Sequence, residues 1–156
     1  VGPALFCGYY LDELLLHLLP REDAHQKLFE RYGEMLQRLA GHPEGKVEEA
    51  DLRRFEKALL QELGYGLTLE VEQSGRPVET EALYTYEIER GPQRLEQARP
   101  SVQAYSGRSL LDLAAEDFSL ARSRTEAKLL MRSLMAHYLG GVELESRKIF
   151  RELQEL

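Results

Sequence analysis

The chain has 156 residues, 43% of them hydrophobic and 30% charged, which suits one soluble globular domain with a substantial core. Acidic residues outnumber basic ones by 27 to 20, for a formal net charge of −7, which excludes the electrostatic footprint of a strong nucleic-acid binder. A single cysteine, Cys7, excludes an intramolecular disulfide and any multi-cysteine zinc site. Its place in an apolar run reads as a small buried hydrophobe, and one thiol suits a reducing cytoplasm.

The chain opens on Val1 rather than Met and enters a helix almost at once, as a fragment without its N-terminal part would. The first helix is expected from about Pro3, which suits a first helical turn, to Leu19, ahead of the helix-ending Pro20. Its apolar residues, from Leu5, Phe6, Tyr9 and Tyr10 to Leu16 and Leu19, cover most of the circumference. Such a helix belongs in the middle of a bundle. The run Ala4–Leu19 is too short to span a bilayer and contains Asp12, Glu13 and His17. Nothing reads as a signal peptide, and no membrane partner is expected. A second helix is expected from Asp23, with Gln26 three positions on as a capping box, through Leu28, Phe29, Tyr32, Met35, Leu36 and Leu39 to Gly41. The stretch Gly41–Lys46 reads as a loop.

The third helix, starting around Val47, carries the most informative stretch, Leu52–Leu67. At about 100° per residue, Leu52, Phe55, Leu59, Leu60 and Leu63 share one face. Gly64 follows where a left-handed cap is needed. Glu56 falls inside the apolar stripe, and Arg53 falls on its margin beside Leu60. A carboxylate facing a core needs a partner, and Arg53, three residues back, is within reach. Two readings follow: a structural pair at the core's edge, or an arginine forming the basic rim of a pocket for an acidic peptide. Arg54 is expected on the solvent side, with Lys57 between the two arginines. Three helices with short links imply antiparallel neighbours.

The period then changes. Leu67, Leu69 and Val71 alternate with Thr68, Glu70 and Glu72, a short half-buried strand with Ser74-Gly75-Arg76-Pro77 as a turn after it. Tyr84, Tyr86 and Ile88 alternate in a second strand, which Gly91-Pro92 is expected to break. Gln93–Pro100 is polar and ambiguous, and Val102–Tyr105 reads as a third short strand. Residues 67–105 thus form a small β-rich insert in one helical domain spanning residues 1–156. A short helix is expected over Ser109–Ala115. A long one is expected from Ser123, with Glu126 as its capping-box partner, to Gly140-Gly141, and a last one from Ser146 with Ile149, Phe150 and Leu153 on its apolar face. The fold class is mainly α, a helical bundle with a small β-containing insert.

Catalytic patterns are absent. His17, His25, His42 and His137 stand at no metal-ligand spacing, and there is no phosphate-cradling glycine loop or nucleophile elbow. No enzyme activity, cofactor or metal is expected. Arg124, Lys128 and Arg132 recur every four residues along the long helix, with Arg122 nearby. This strip is either a solvated helix face or a track for a phosphate backbone.

The blocks GYYLDELLLHLLP at 8–20, LRRFEKALLQELGYGL at 52–67 and YLGGVELESRKIF at 138–150 together resemble the C-terminal helical region of the RecO family of DNA-repair and recombination mediators. The resemblance covers essentially the whole chain in the right order, and the RRFE…LGYG block is its most specific part. It implies a helical domain that follows an N-terminal OB-fold, with the insert at the position where many members carry a four-cysteine zinc module. The insert here has no cysteine, so zinc is excluded. The implied function is non-catalytic. The family binds and anneals DNA, is recruited by the acidic C-terminal tail of single-stranded-DNA-binding protein, and with RecR helps load the RecA recombinase. By motif match the tail site involves Arg53, with Arg54, Lys57 and Leu60 beside it. Arg124, Lys128 and Arg132 are the candidate DNA contacts, with most DNA affinity expected from the OB-fold. The alternative is a helical interaction or regulatory domain with no DNA role.

Overall fold

The computed structural model describes residues 3–41 and 49–154, with side chains from 4 to 149 within that span. The expectations for Val47, for loop residues 42–46 and for the side chains of Phe150 and Leu153 lie outside the described residues. The elements run α1 (Pro3–Leu18), α2 (Gln26–Gly41), α3 (Glu49–Glu62), β1 (Leu83–Glu87), β2 (Gly91–Leu95), β3 (Tyr105–Ser106), α4 (Gly107–Ala115), α5 (Ala121–Tyr138) and α6 (Glu145–Gln154). The described chain is mainly α-helical with one small antiparallel sheet, the class its periodicity predicts. It divides into two compact units, Val1–Leu63 with Met135–Leu156, and Gly64–Leu134.

In the first unit α1 packs against α2 and α6, and α2 against α3. Tyr10, Leu11 and Leu14 of α1, Leu28 and Met35 of α2, and Phe55, Leu59 and Leu60 of α3 are buried. The apolar circumference of α1 does not place it at the centre. Leu5, Tyr9 and Leu16 lie on one face and are exposed, Leu16 at 81%. The capping box expected at Asp23 does not form. The Phe29 N–H donates to the His25 carbonyl at 3.0 Å, so the helix starts after His25, and the Gln26 amide turns to Glu30 instead. Gly64 takes φ +81°, the left-handed cap expected after α3. The N-terminus of α6 is capped from a distance. Glu13 of α1 accepts from the Glu145 N–H at 2.8 Å, from the Ser146 N–H at 2.9 Å, and from the Ser146 hydroxyl. A carboxylate there satisfies two orphan donors and complements the helix dipole.

In the second unit the sheet order is β2-β1-β3. Residues 67–71 are not a strand. Val71 makes only an isolated bridge to Pro77, because the chain turns back at once, with the Glu72 N–H donating to the Arg76 carbonyl at 2.7 Å. Glu72, placed outward by the alternation, is buried, and the Tyr84 hydroxyl donates to it at 3.0 Å. Gly91-Pro92 does not end the sheet but opens β2, whose turn is closed by Gly91 at φ +86°. Pro92 lacks an N–H and is tolerated because β2 is an edge strand. The third strand is shorter and later than Val102–Tyr105. Ser106 then caps α4, accepting from the Ser109 N–H at 3.1 Å. The Ser123–Glu126 capping box also fails, since α5 begins two residues before Ser123. Ser123 instead donates to Asp112 at 2.6 Å, and Glu126 accepts from the Ser106 N–H at 2.7 Å.

Two outcomes test this packing. For Glu13, burial pushes the carboxyl up, and the hydrogen bonds from Ser146 and the Glu145 N–H pull it further down, to a net value below the ordinary one. The cap is therefore fully effective above about pH 4.3 and is lost as pH falls through the depressed folded value. Glu13→Ala should cost about 1–2 kcal/mol near neutral pH in chemical denaturation, and that difference should shrink in acid. At Gly107 an added Cβ would lie 1.9 Å from the Glu79 carbonyl oxygen and 3.1 Å from the Tyr84 ring. Gly107→Ala should lower stability by about 1–3 kcal/mol or abolish soluble expression, and an unchanged melting temperature would refute the close approach.

Candidate functional site

Helix α3 carries the first set of candidate residues. Glu56 is 1% exposed. The Arg53 Nε lies 3.1 Å from Glu56 Oε2, and Arg53 Nη2 donates to Oε1 at 3.1 Å. The pair expected three residues apart is therefore present. A second donor comes from α1, where the Tyr10 hydroxyl gives its proton to the same Oε1 at 2.5 Å. The Arg147 guanidinium of α6 lies 5.2 Å from the centre of the Tyr10 ring. Burial first, and the Glu56 charge second, push the Tyr10 hydroxyl well above its ordinary range, so it stays a donor. Burial also raises the Cys7 thiol against the opposing pull of Arg53, leaving it a poor nucleophile. The Arg53 side chain is nine-tenths buried. Its third nitrogen, Nη1, donates to nothing among the described residues.

The other α3 candidates do not all gather beside Arg53. Lys57 and Leu60 are buried, Leu60 completely, so Leu60 belongs to the packing of α3 rather than to a surface. Arg54 turns to the α2 side, where its Nη1 meets Asp51 Oδ1 at 3.1 Å. Arg38 of α2 donates to the same oxygen at 2.7 Å. Arg31, Arg38 and Arg54 rim a small cavity floored by Met35 and Phe55, of about 80 Å³. The helix wheel thus separates Arg53 and Arg54 as expected, but the two arginines serve different walls of α3. Tyr10, Arg147 and Asp51 escaped the sequence reading. The partners Tyr10 and Glu56 are 46 residues apart, and no local spacing signals such a contact.

The second set lies on α5, in the other unit. Arg124 and Arg132 are exposed, and Lys128 is half-buried. Arg124 Nη1 donates to the Phe118 carbonyl at 2.7 Å and the Ser119 carbonyl at 2.8 Å. Arg122 is engaged by Glu126 at 2.7 Å. Among the described residues no cluster of three His, Cys, Asp or Glu side chains can hold a metal ion, and no helix is long and apolar enough to cross a membrane.

The burial of Glu56 sets a test of the α3 geometry. Glu56→Ala should cost about 3–5 kcal/mol, because it leaves the Arg53 charge and the Tyr10 hydroxyl without their acceptor. Glu56→Gln keeps the shape and should cost less. Equal, negligible losses in both variants would contradict the observed packing.

Comparison with known proteins extends these observations. The family model described as recombination protein O C terminal matches residues 2–148. The chain is 63% identical over 155 residues to the DNA repair protein RecO of Dechloromonas aromatica. Identity is 50% over 157 residues to that of Aromatoleum aromaticum, and 48% over 160 residues to that of an Azoarcus species. Each match covers 99% of this chain and 64% of the relative, so the chain spans a little under two thirds of their length. The fold, the RRFE block and these matches agree: the chain belongs to the recombination protein O C-terminal family.

Proposed function

We propose that this domain is a non-catalytic recombination mediator module of DNA repair that binds the acidic C-terminal tail of single-stranded-DNA-binding protein. Together with an OB-fold and RecR it supports strand annealing and RecA loading in the cytoplasm. The observation that carries the tail-binding reading is the state of Arg53. Glu56 accepts a hydrogen bond from Nη2 and pairs with Nε by charge at 3.1 Å, which orients the guanidinium, while Nη1 has no partner among the described residues. An arginine fixed in this way loses little entropy on gripping a further carboxylate. Arg54, with about a third of its side chain exposed, adds charge on the neighbouring wall. Family membership supports the repair role, and the relatives' printed name, DNA repair protein RecO, agrees with it.

The test is fluorescence anisotropy with a labelled acidic peptide ending in a bulky apolar residue. Arg53→Glu should weaken binding by at least about 30-fold, since it removes an attraction and adds a repulsion worth about 2–5 kcal/mol. Arg54→Glu should weaken it less, and added salt should shrink that smaller effect. Because Arg53 also supports Glu56, each variant is checked by circular dichroism and melting. A folded Arg53→Glu protein with unchanged affinity would remove Arg53 from the site.

A further inference from the structure

We infer that Arg147 is the second cation of the peptide site, gripping an acidic side chain of the tail from α6 while Arg53 takes the terminal carboxylate from α3. This deepens the tail-binding reading proposed above and rests on it. All the groups involved belong to the first unit. One hydrogen bond, from the Tyr10 hydroxyl to Glu56 Oε1, joins α1 to α3. A guanidinium approaches that bond from each end. Arg53 Nη2 donates to the Glu56 oxygen at 3.1 Å, and Arg147 Nη2 donates to the Tyr10 oxygen at 3.4 Å.

Three observations make Arg147 a cation prepared for an anion. The first is charge. Glu56 is paired with Arg53, whereas Arg147 has no carboxylate within ion-pair distance among the described residues. Two guanidiniums thus meet around one carboxylate, and a further carboxylate balances them. The second is orientation. The Arg147 guanidinium lies over the Tyr10 ring, 5.2 Å from its centre. A guanidinium held over a ring gives its face to the π-cloud and keeps its edge N–H donors for a planar acceptor such as a carboxylate. The third is the backbone beneath it. Glu13 of α1 accepts from the Glu145 N–H, the Ser146 N–H and the Ser146 hydroxyl, and Arg147 is the next residue. Its half-buried side chain therefore leaves a turn already fixed to α1, so little freedom is lost when it grips a ligand. Lys148, its neighbour, differs on each count. It is exposed and stands 3.8 Å from Glu145.

The experiment is a cycle of affinities measured by anisotropy on the 156-residue chain. The unmodified chain and Arg147→Gln are each titrated with a labelled acidic peptide ending in a bulky apolar residue. Both are then titrated with its counterpart, in which every acidic side chain is replaced by its amide and the terminal carboxylate is kept. Arg147→Gln should weaken binding of the acidic peptide about tenfold and of the amide peptide less than about twofold. Lys148→Gln should give no such difference between the peptides. Circular dichroism and melting establish that each variant is folded, and Arg147→Lys, which keeps the charge, stands in where Arg147→Gln is not. It should recover part of the discrimination between the peptides. Equal losses on both peptides would make Arg147 structural alone and overturn the inference. Peptide binding that depends on Arg53 but not on Arg147 would overturn it while leaving the tail-binding reading standing. No binding of the acidic peptide by the unmodified chain would reject that reading, and the second cation with it.

Discussion

A carboxylate with 1% of its surface exposed has left its water behind, and the fold must replace what water supplied. For Glu56 the replacement includes donors from two helices. Arg53 reaches it from one turn back on the same helix, and Tyr10 reaches it from α1. Arg147 then lies over the Tyr10 ring from α6. Three helices of the first unit are thereby oriented about one anionic group. Hydrophobic burial of Leu11, Leu14, Leu59 and Leu60 supplies most of the stabilisation, but it is non-directional. The polar cluster penalises any packing that leaves one of its members unpaired.

The same constraint shapes the candidate site. An isolated surface arginine samples many rotamers, and a bound peptide must immobilise it. Arg53 has been immobilised by folding. On the proposed reading, Glu56 is a positioning residue for the arginine that would meet the partner. The cleft beneath Arg31, Arg38 and Arg54 follows a related pattern, with Asp51 holding two guanidiniums at 2.7 and 3.1 Å. On α5 the equivalent role falls to the Phe118 and Ser119 carbonyls, which hold Arg124. In each case an internal acceptor fixes a cation without burying it in a neutral environment.

The parts of this account that were legible in the sequence are those governed by short spacing. The helical stripe of α3, the Arg53–Glu56 step of three and the left-handed Gly64 depend on residues within one or two turns, and they are present as read. The failures share a different cause. Ser123 and Glu126 have the spacing of a capping box, yet Asp112 and Ser106 compete for them and win. Glu72 alternates as an outward strand residue, yet the Tyr84 hydroxyl and the turn at Arg76 draw it inward. Lys57 stands between two arginines on the wheel, yet it is buried. Hydrogen bonds to residues remote in sequence decide the cases of Ser123, Glu126 and Glu72, and a local pattern contains no information about them. The family was legible by resemblance through the RRFE block, and the family match bears that resemblance out. The separation of Arg53 from Arg54 onto two walls of α3 was not legible.

The central claim is that Arg53, already held by Glu56, grips a partner carboxylate directly. A double-mutant cycle tests it most closely. Affinities are measured for the unmodified chain and for Arg53→Gln, each against the acidic peptide with a free and with an amidated C-terminus. Direct contact predicts that amidation and substitution each weaken binding and that the doubly altered pair loses much less than the sum, with a coupling of at least about 1 kcal/mol. Additive losses in folded proteins would mean that Arg53 does not touch the terminal carboxylate, and its pairing with Glu56 would then be structural alone.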